Sequence, residues 1–383
     1  MALLPLLLFA AAAPAAPAPS PERTQLLAEL GAACNVRKGE LTDIELVDYA
    51  GMLVAVLKPV RTCRQQDGRL ALRLALTVAE APSSASGGAY GLLAAFYQGA
   101  PGIKADARLA RFYRRRAWLL GSRILNRFDS PEEARAYLAD PETVAFLRGR
   151  IARGAPAKER VWLAEALLTR RAAGDVAEAQ AMLRTPEAGT QAAARLMLAE
   201  LALEPGASPA DFADATMRLR PVAPSLAAGA KARALIFHLA RLQLASAKAP
   251  EEKWDAIQSL AAAAYAGEAE PLRAFREALR AANGGVEPAS VAVTAPPPRI
   301  LGDDYPPSAM RKNLSGVVRL RALVDPRGRI VFTESADPDQ PALLVDTVRR
   351  TYASRNVPPL TIEAPPTPYV WVAVPPIAFK IAE

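Results

Sequence analysis

The chain is poor in the residues from which most catalytic and metal sites are built. Its 383 residues include one histidine, His238, and two cysteines, Cys34 and Cys63. That inventory strains a histidine-based triad and a zinc site of ordinary His and Cys ligands. No phosphate loop or dinucleotide fingerprint stands where a strand would turn into a helix. The sequence therefore predicts no catalytic residue, no metal and no cofactor. A hydrolase built between helix pairs lacks the side chains it would need. Long apolar runs are also missing. The longest, Leu3–Ala13, is broken at Pro5 and falls short of the roughly 20 residues of a membrane span.

What is present is alanine and an excess of basic residues. Alanine is the best helix former and loses no side-chain entropy, so most of the chain is expected to be helical. The formal charge is +8, which alone allows an anionic surface, an acidic partner or nucleic acid. The apolar run and the small residues and prolines that follow it fit a secretory signal over residues 1–18. Export argues against nucleic acid. An even number of cysteines in an exported chain suggests a Cys34–Cys63 disulfide, with two buried thiols as the alternative. By loop entropy such a bridge contributes about 3 kcal/mol.

Residues 19–284 read as a series of helix pairs. Thr42-Asp-Ile-Glu45 is a capping box, and Ser130-Pro-Glu-Glu133 is a second helix start. The stretch Ala89–Tyr97, the loop Gly99–Asp106 and the run Ala110–Ala117 with Gly121 together resemble a Sel-one-like repeat, a relative of the tetratricopeptide repeat. The resemblance implies an α-solenoid that binds proteins. Arg108, Arg111, Arg114, Arg115, Arg116, Arg123 and Arg127 form the densest basic cluster. It fits anionic headgroups, peptidoglycan or an acidic partner; a solvated helical face is the plainer reading.

The stretch 285–298, with Pro288 and Pro296-Pro297-Pro298, lacks helical period and is expected to be a linker. Beyond it, Gly316–Val324 alternates as a strand, with Val318, Leu320, Ala322 and Val324 on one face. Asp325-Pro-Arg-Gly328 supplies a turn, and Ile330 and Phe332 continue the buried face on the return strand. A helix over Pro341–Tyr352 and a last strand over Tyr369–Val374 complete a ββαβ order, so the fold class is α+β. Pro375-Pro376 suggests that the last strand lies at a sheet edge. Asp303-Asp304 could be read as a carboxylate pair, against a solvated loop.

The spacing of Tyr305-Pro306, Ala309, Gly316–Val324, Asp325–Gly328, Leu343–Tyr352 and Pro376-Ile-Ala-Phe379 resembles the C-terminal domain of the TonB family, over residues 299–383. The resemblance implies a periplasmic domain that grips an extended partner segment, such as part of an outer-membrane transporter or another envelope protein, by strand addition. Tyr369, Val370, Trp371, Val372, Ala373 and Val374 are then the expected partner-binding residues. A short N-terminal run and a helical array in place of a long spacer favour an unanchored adaptor. The alternative is a divergent energy transducer held at the inner membrane.

Overall fold

The computed structural model describes residues 21–379, apart from 35, 37–40, 55–62, 64–65, 122–127, 129, 225–227, 296–306, 338 and 355–357. The expected signal (1–18), Asp303 and Asp304 lie outside the described residues. The fold is mixed α and β and mainly helical. It divides into two compact units, Met1–Ala179 and Gln180–Glu383.

The first unit contains α1 (Pro21–Ala33), α2 (Asp43–Leu53), α3 (Gly68–Glu80), α4 (Ser86–Phe96), α5 (Ala107–Leu119), α6 (Pro131–Ala139), α7 (Pro141–Ala152) and α8 (Lys158–Arg170); α9 (Asp175–Leu183) begins in it. The helices of the run α2 to α5 pack each on the next, as do α6 to α8, and α1 packs on α3. Local chemistry sets their starts. Glu45 N donates to Thr42 Oγ1 at 3.3 Å, while Thr42 N donates back to Glu45 Oε2 at 2.8 Å, closing the expected box. Ser130 Oγ accepts from Glu133 N at 3.1 Å. Asp106 caps α5 by accepting from Arg108 N and Leu109 N. Cys34 and Cys63 are joined in a disulfide.

This unit also contains a buried ion pair. Arg150 is fully buried and donates bidentately to Glu159, at 2.7 and 2.9 Å. Its other N–H groups reach Ala79 O, Ala81 O and Ser86 Oγ. All five guanidinium donors are satisfied, which is the condition for burying such a charge. The arginine ties the end of α3 and the start of α4 to α7 and α8.

The second unit continues with α10 (Pro186–Gly189), α11 (Ala192–Leu201), α12 (Pro209–Leu219), α13 (Gly229–Ser246), α14 (Pro250–Ala263) and α15 (Ala269–Ala282). Then come β1 (Ala289–Thr294), α16 (Pro307–Arg311), β2 (Gly316–Val318), β3 (Leu320–Val324), β4 (Ile330–Ser335), α17 (Ala342–Ser354), β5 (Val370–Ala373) and β6 (Ile377–Phe379). Four strands form a sheet in the order β1-β5-β3-β4, and β2 pairs with β6 separately. β1 runs parallel to β5; the other neighbours are antiparallel.

Both faces of the sheet are covered. Leu320, Ala322, Val324, Val370 and Val372 join Leu344, Val348 and Tyr352 of α17 in one core. Leu323 and Tyr369, on the opposite face, belong to the core of α13, α14 and α15. Alternation found the α17 face; it left Leu323 outside because a second layer of helix covers it.

Three expectations are corrected here. Residues 289–294 of the expected linker are strand β1, because their alternate residues Val291 and Val293 pack into the α17 core. The single strand expected over Gly316–Val324 breaks at Arg319. The Arg319 backbone is held by the Gln340 side chain, and its carbonyl also accepts from Ala336 N. Finally, Ile330 and Phe332 do not share a face. Leu323 pairs with Phe332 and Val324 with Ile330, so Val331 is the extra residue of a bulge. Ile330 packs toward α17, while Phe332 meets Phe275 with ring centroids 5.0 Å apart.

Candidate functional site

β5 was expected to present a free edge; it is an inner strand, with β1 on one side and β3 on the other. Of the six residues assigned to partner binding, Tyr369, Val370, Val372 and Val374 are buried. Trp371 is half-buried and Ala373 is exposed. Tyr369 is held in place by Asn283, whose Oδ1 accepts from Tyr369 N at 2.9 Å and whose Nδ2 donates to Tyr369 O at 3.3 Å. Burial pushes the Tyr369 hydroxyl well above the usual tyrosine range, and Asp325 adds to the shift. Four of the six thus belong to the core, and only Trp371 and Ala373 keep exposed surface.

The two outer edges of the sheet differ. At β4, Arg349 of α17 donates from Nε to Thr333 O at 3.1 Å and from Nη2 to Tyr265 O at 2.7 Å. Tyr265 in turn donates to Asp346 Oδ1 at 3.1 Å. The cleft left beside Ile330–Thr333, between α14 and α17, holds only about 100 Å³. At the other end β1 reads Ala-Ser-Val-Ala-Val-Thr, with neither charge nor proline. Ser290, Ala292 and Thr294 are exposed. Among the described residues no strand pairs with the outer edge of β1.

The hairpin that carries β4 is held to α14 by charge. Asp325 accepts from the backbone N–H groups of Arg327 and Arg329, both at 2.9 Å, and from both Nε atoms. Asp255 accepts from the Nη2 of each arginine, at 2.8 and 3.2 Å. Burial raises the Asp325 pKa although Arg327 pulls against it. Behind the network, Arg220 donates to Gln258, Ser259 and Asp255 O, and burial lowers its pKa to about 10.

Next to β1 a groove of about 880 Å³ runs between α15 and the sheet. It is lined by half-buried Leu272 of α15 and Phe332 and Trp371 of the sheet, while Phe275 and Leu279 are buried in the core between α15 and the sheet. Arg321 lies 4.4 Å over the Trp371 ring and is ion-paired to Glu334.

The expected basic cluster of the first unit is not one solvated face. Arg108 and Arg111 are exposed and Arg114 is half-buried. Arg115 pairs with Glu133 at 2.6 Å. Arg116 is buried, 3.7 Å over the Phe146 ring and 5.4 Å over that of Phe112. Arg123 and Arg127 lie outside the described residues. A helix with consecutive arginines must turn some of them inward, which explains the division.

Sequence reasoning missed β1 and Arg349. The alternation of Val291 and Val293 with the small residues Ser290, Ala292 and Thr294 was the available signal for the strand. Nothing local marks Arg349, whose role depends on where α17 lies. Among the described residues no helix is long and apolar enough to cross a membrane. No family model, no curated protein and no solved structure matches the chain.

Proposed function

We propose that the chain is a periplasmic, non-enzymatic binding protein, in which a helical-repeat scaffold carries a TonB-like domain that takes a partner segment by strand addition at the outer edge of β1. One observation carries this reading: β1 is an uncharged edge strand with no described strand against it. Unpaired edge amides and carbonyls are a template for another chain, and proteins ordinarily block them. The resemblance of residues 299–383 to TonB C-terminal domains supports the mode of binding. The Cys34–Cys63 disulfide and the apolar run Leu3–Ala13 support an oxidising, exported location.

The edge differs from the one the resemblance alone suggests. The chain's own β1 already lies along β5, so the partner adds one strand further out. A photoreactive amino acid at position 292 tests this in cells. The expected product is one envelope protein crosslinked through an extended segment, with a matched probe at the inner position 372 giving none. Equal yields from both positions, or only non-specific products, would reject strand addition at β1.

A further inference from the structure

We propose that the groove between α15 and the sheet binds an acidic, apolar peptide segment of a protein partner. The proposal rests on reading the chain as a protein-binding protein, and it does not depend on strand addition. The groove has the size of a ligand site, about 880 Å³ against the roughly 300–1,000 Å³ usual for such sites. The apolar surface it offers comes from the half-buried Leu272 of α15 and Phe332 and Trp371 of the sheet, which rest on the buried core around Phe275 and Leu279.

Charge decides the occupant. Seven charged residues line the groove, and four of them neutralise one another in the pairs Arg280–Glu287 and Arg321–Glu334. That leaves Arg273, Arg276 and Glu277. Both arginines are exposed, and neither makes an ion pair or a hydrogen bond among the described residues. They stand one turn apart on the helix that forms the wall. The uncompensated charge is positive and sits above an apolar floor, so a segment with apolar side chains inward and carboxylates toward α15 is complementary in both respects. A basic segment would meet the same arginines as like charges. The Arg321 guanidinium on the face of Trp371 adds a flat cationic surface beside the floor.

The test uses the full chain and a fluorescently labelled synthetic peptide of leucine and glutamate, with a leucine–lysine peptide of the same length as its control. Binding is read by anisotropy at low and high salt. The acidic peptide is expected to bind, to weaken with salt, and to lose on the order of tenfold or more in affinity to an Arg273→Glu/Arg276→Glu variant. Trp371→Ala should weaken it as well. Equal binding of both peptides, no binding of either, or unchanged affinity in the double variant would overturn the proposal. A crosslink at position 292 together with no peptide binding would reject the groove and leave strand addition standing.

Discussion

β4 and β1 end the same four-stranded sheet, and they treat their outer backbone differently. At β4 a guanidinium from α17 occupies a strand carbonyl, two helices flank the strand, and little space remains. At β1 six uncharged residues end the sheet, with alternate side chains exposed. An open edge is a hazard that folds manage with charge, proline or cover. Among the described residues one end of this sheet is covered and the other is not. The contrast lies within a single element, under one set of solvent conditions, so it points to use of the β1 edge.

The largest expected effect comes from breaking the guarded end at its turn. Gly328 has φ +78°, and a Cβ built on it would lie 2.1 Å from Leu360 O. Leu360 N donates to Gly328 O at 2.7 Å, so the two backbones cannot easily separate. Gly328→Ala should cost about 3–5 kcal/mol, measured by denaturant unfolding. A cost under 1 kcal/mol would mean that the turn is free to shift and that β4 is held by Arg349 and α14 instead. Next is Asn283→Ala, which leaves the N–H of Tyr369 without a side-chain partner at the entry to β5, while its C=O keeps the Thr367 hydroxyl at 2.6 Å. One buried backbone group is orphaned, and about 2 kcal/mol should be lost. If β1 depends on a fixed β5, hydrogen exchange at 290–294 should speed up in this variant.

Much of the fold was legible in the sequence, and what was missed has a common cause. Capping boxes, helix spacing, the Asp-Pro-Arg-Gly turn and the α17 face of the sheet are local patterns, readable over a few residues. β1 was hidden by its surroundings: Pro288 and the three prolines at 296–298 look like a linker, and six residues are too few to outweigh them. Its partner strand lies some eighty positions away, so no local pattern announces the pairing. Arg150 was missed for the same reason. A buried arginine and a solvated one are the same letter, and its acceptors are spread from Ala79 to Glu159. The candidate site was legible only around Trp371. The residues chosen on β5 lie on an inner strand; among the described residues the edge without a partner strand is that of β1.

Opening the guarded edge should have a smaller effect on stability and a visible one on association. Arg349→Ala removes the donor to Thr333 O and Tyr265 O and exposes part of β4. A loss of about 1–2 kcal/mol is expected from two charge-assisted hydrogen bonds at a half-buried site. If the arginine is an edge guard, the variant should also show concentration-dependent self-association in sedimentation velocity where the parent does not. Self-association equal to the parent's would mean that α14 and α17 protect β4 without it.

The smallest effect on stability should come from Ala292→Lys, and it bears most directly on the contrast between the edges. Ala292 is exposed on β1, so the new side chain reaches water and unfolding should change by no more than about 0.5 kcal/mol. A lysine there supplies to β1 the kind of charged obstacle that edge strands commonly carry. A partner strand would have to bury it or displace it, so crosslinking through a nearby probe at position 294 should fall while the helical and sheet signals in circular dichroism stay the same. Unchanged crosslinking would mean that the outer edge of β1 is bare without being used, and the asymmetry of the sheet would lose its functional meaning.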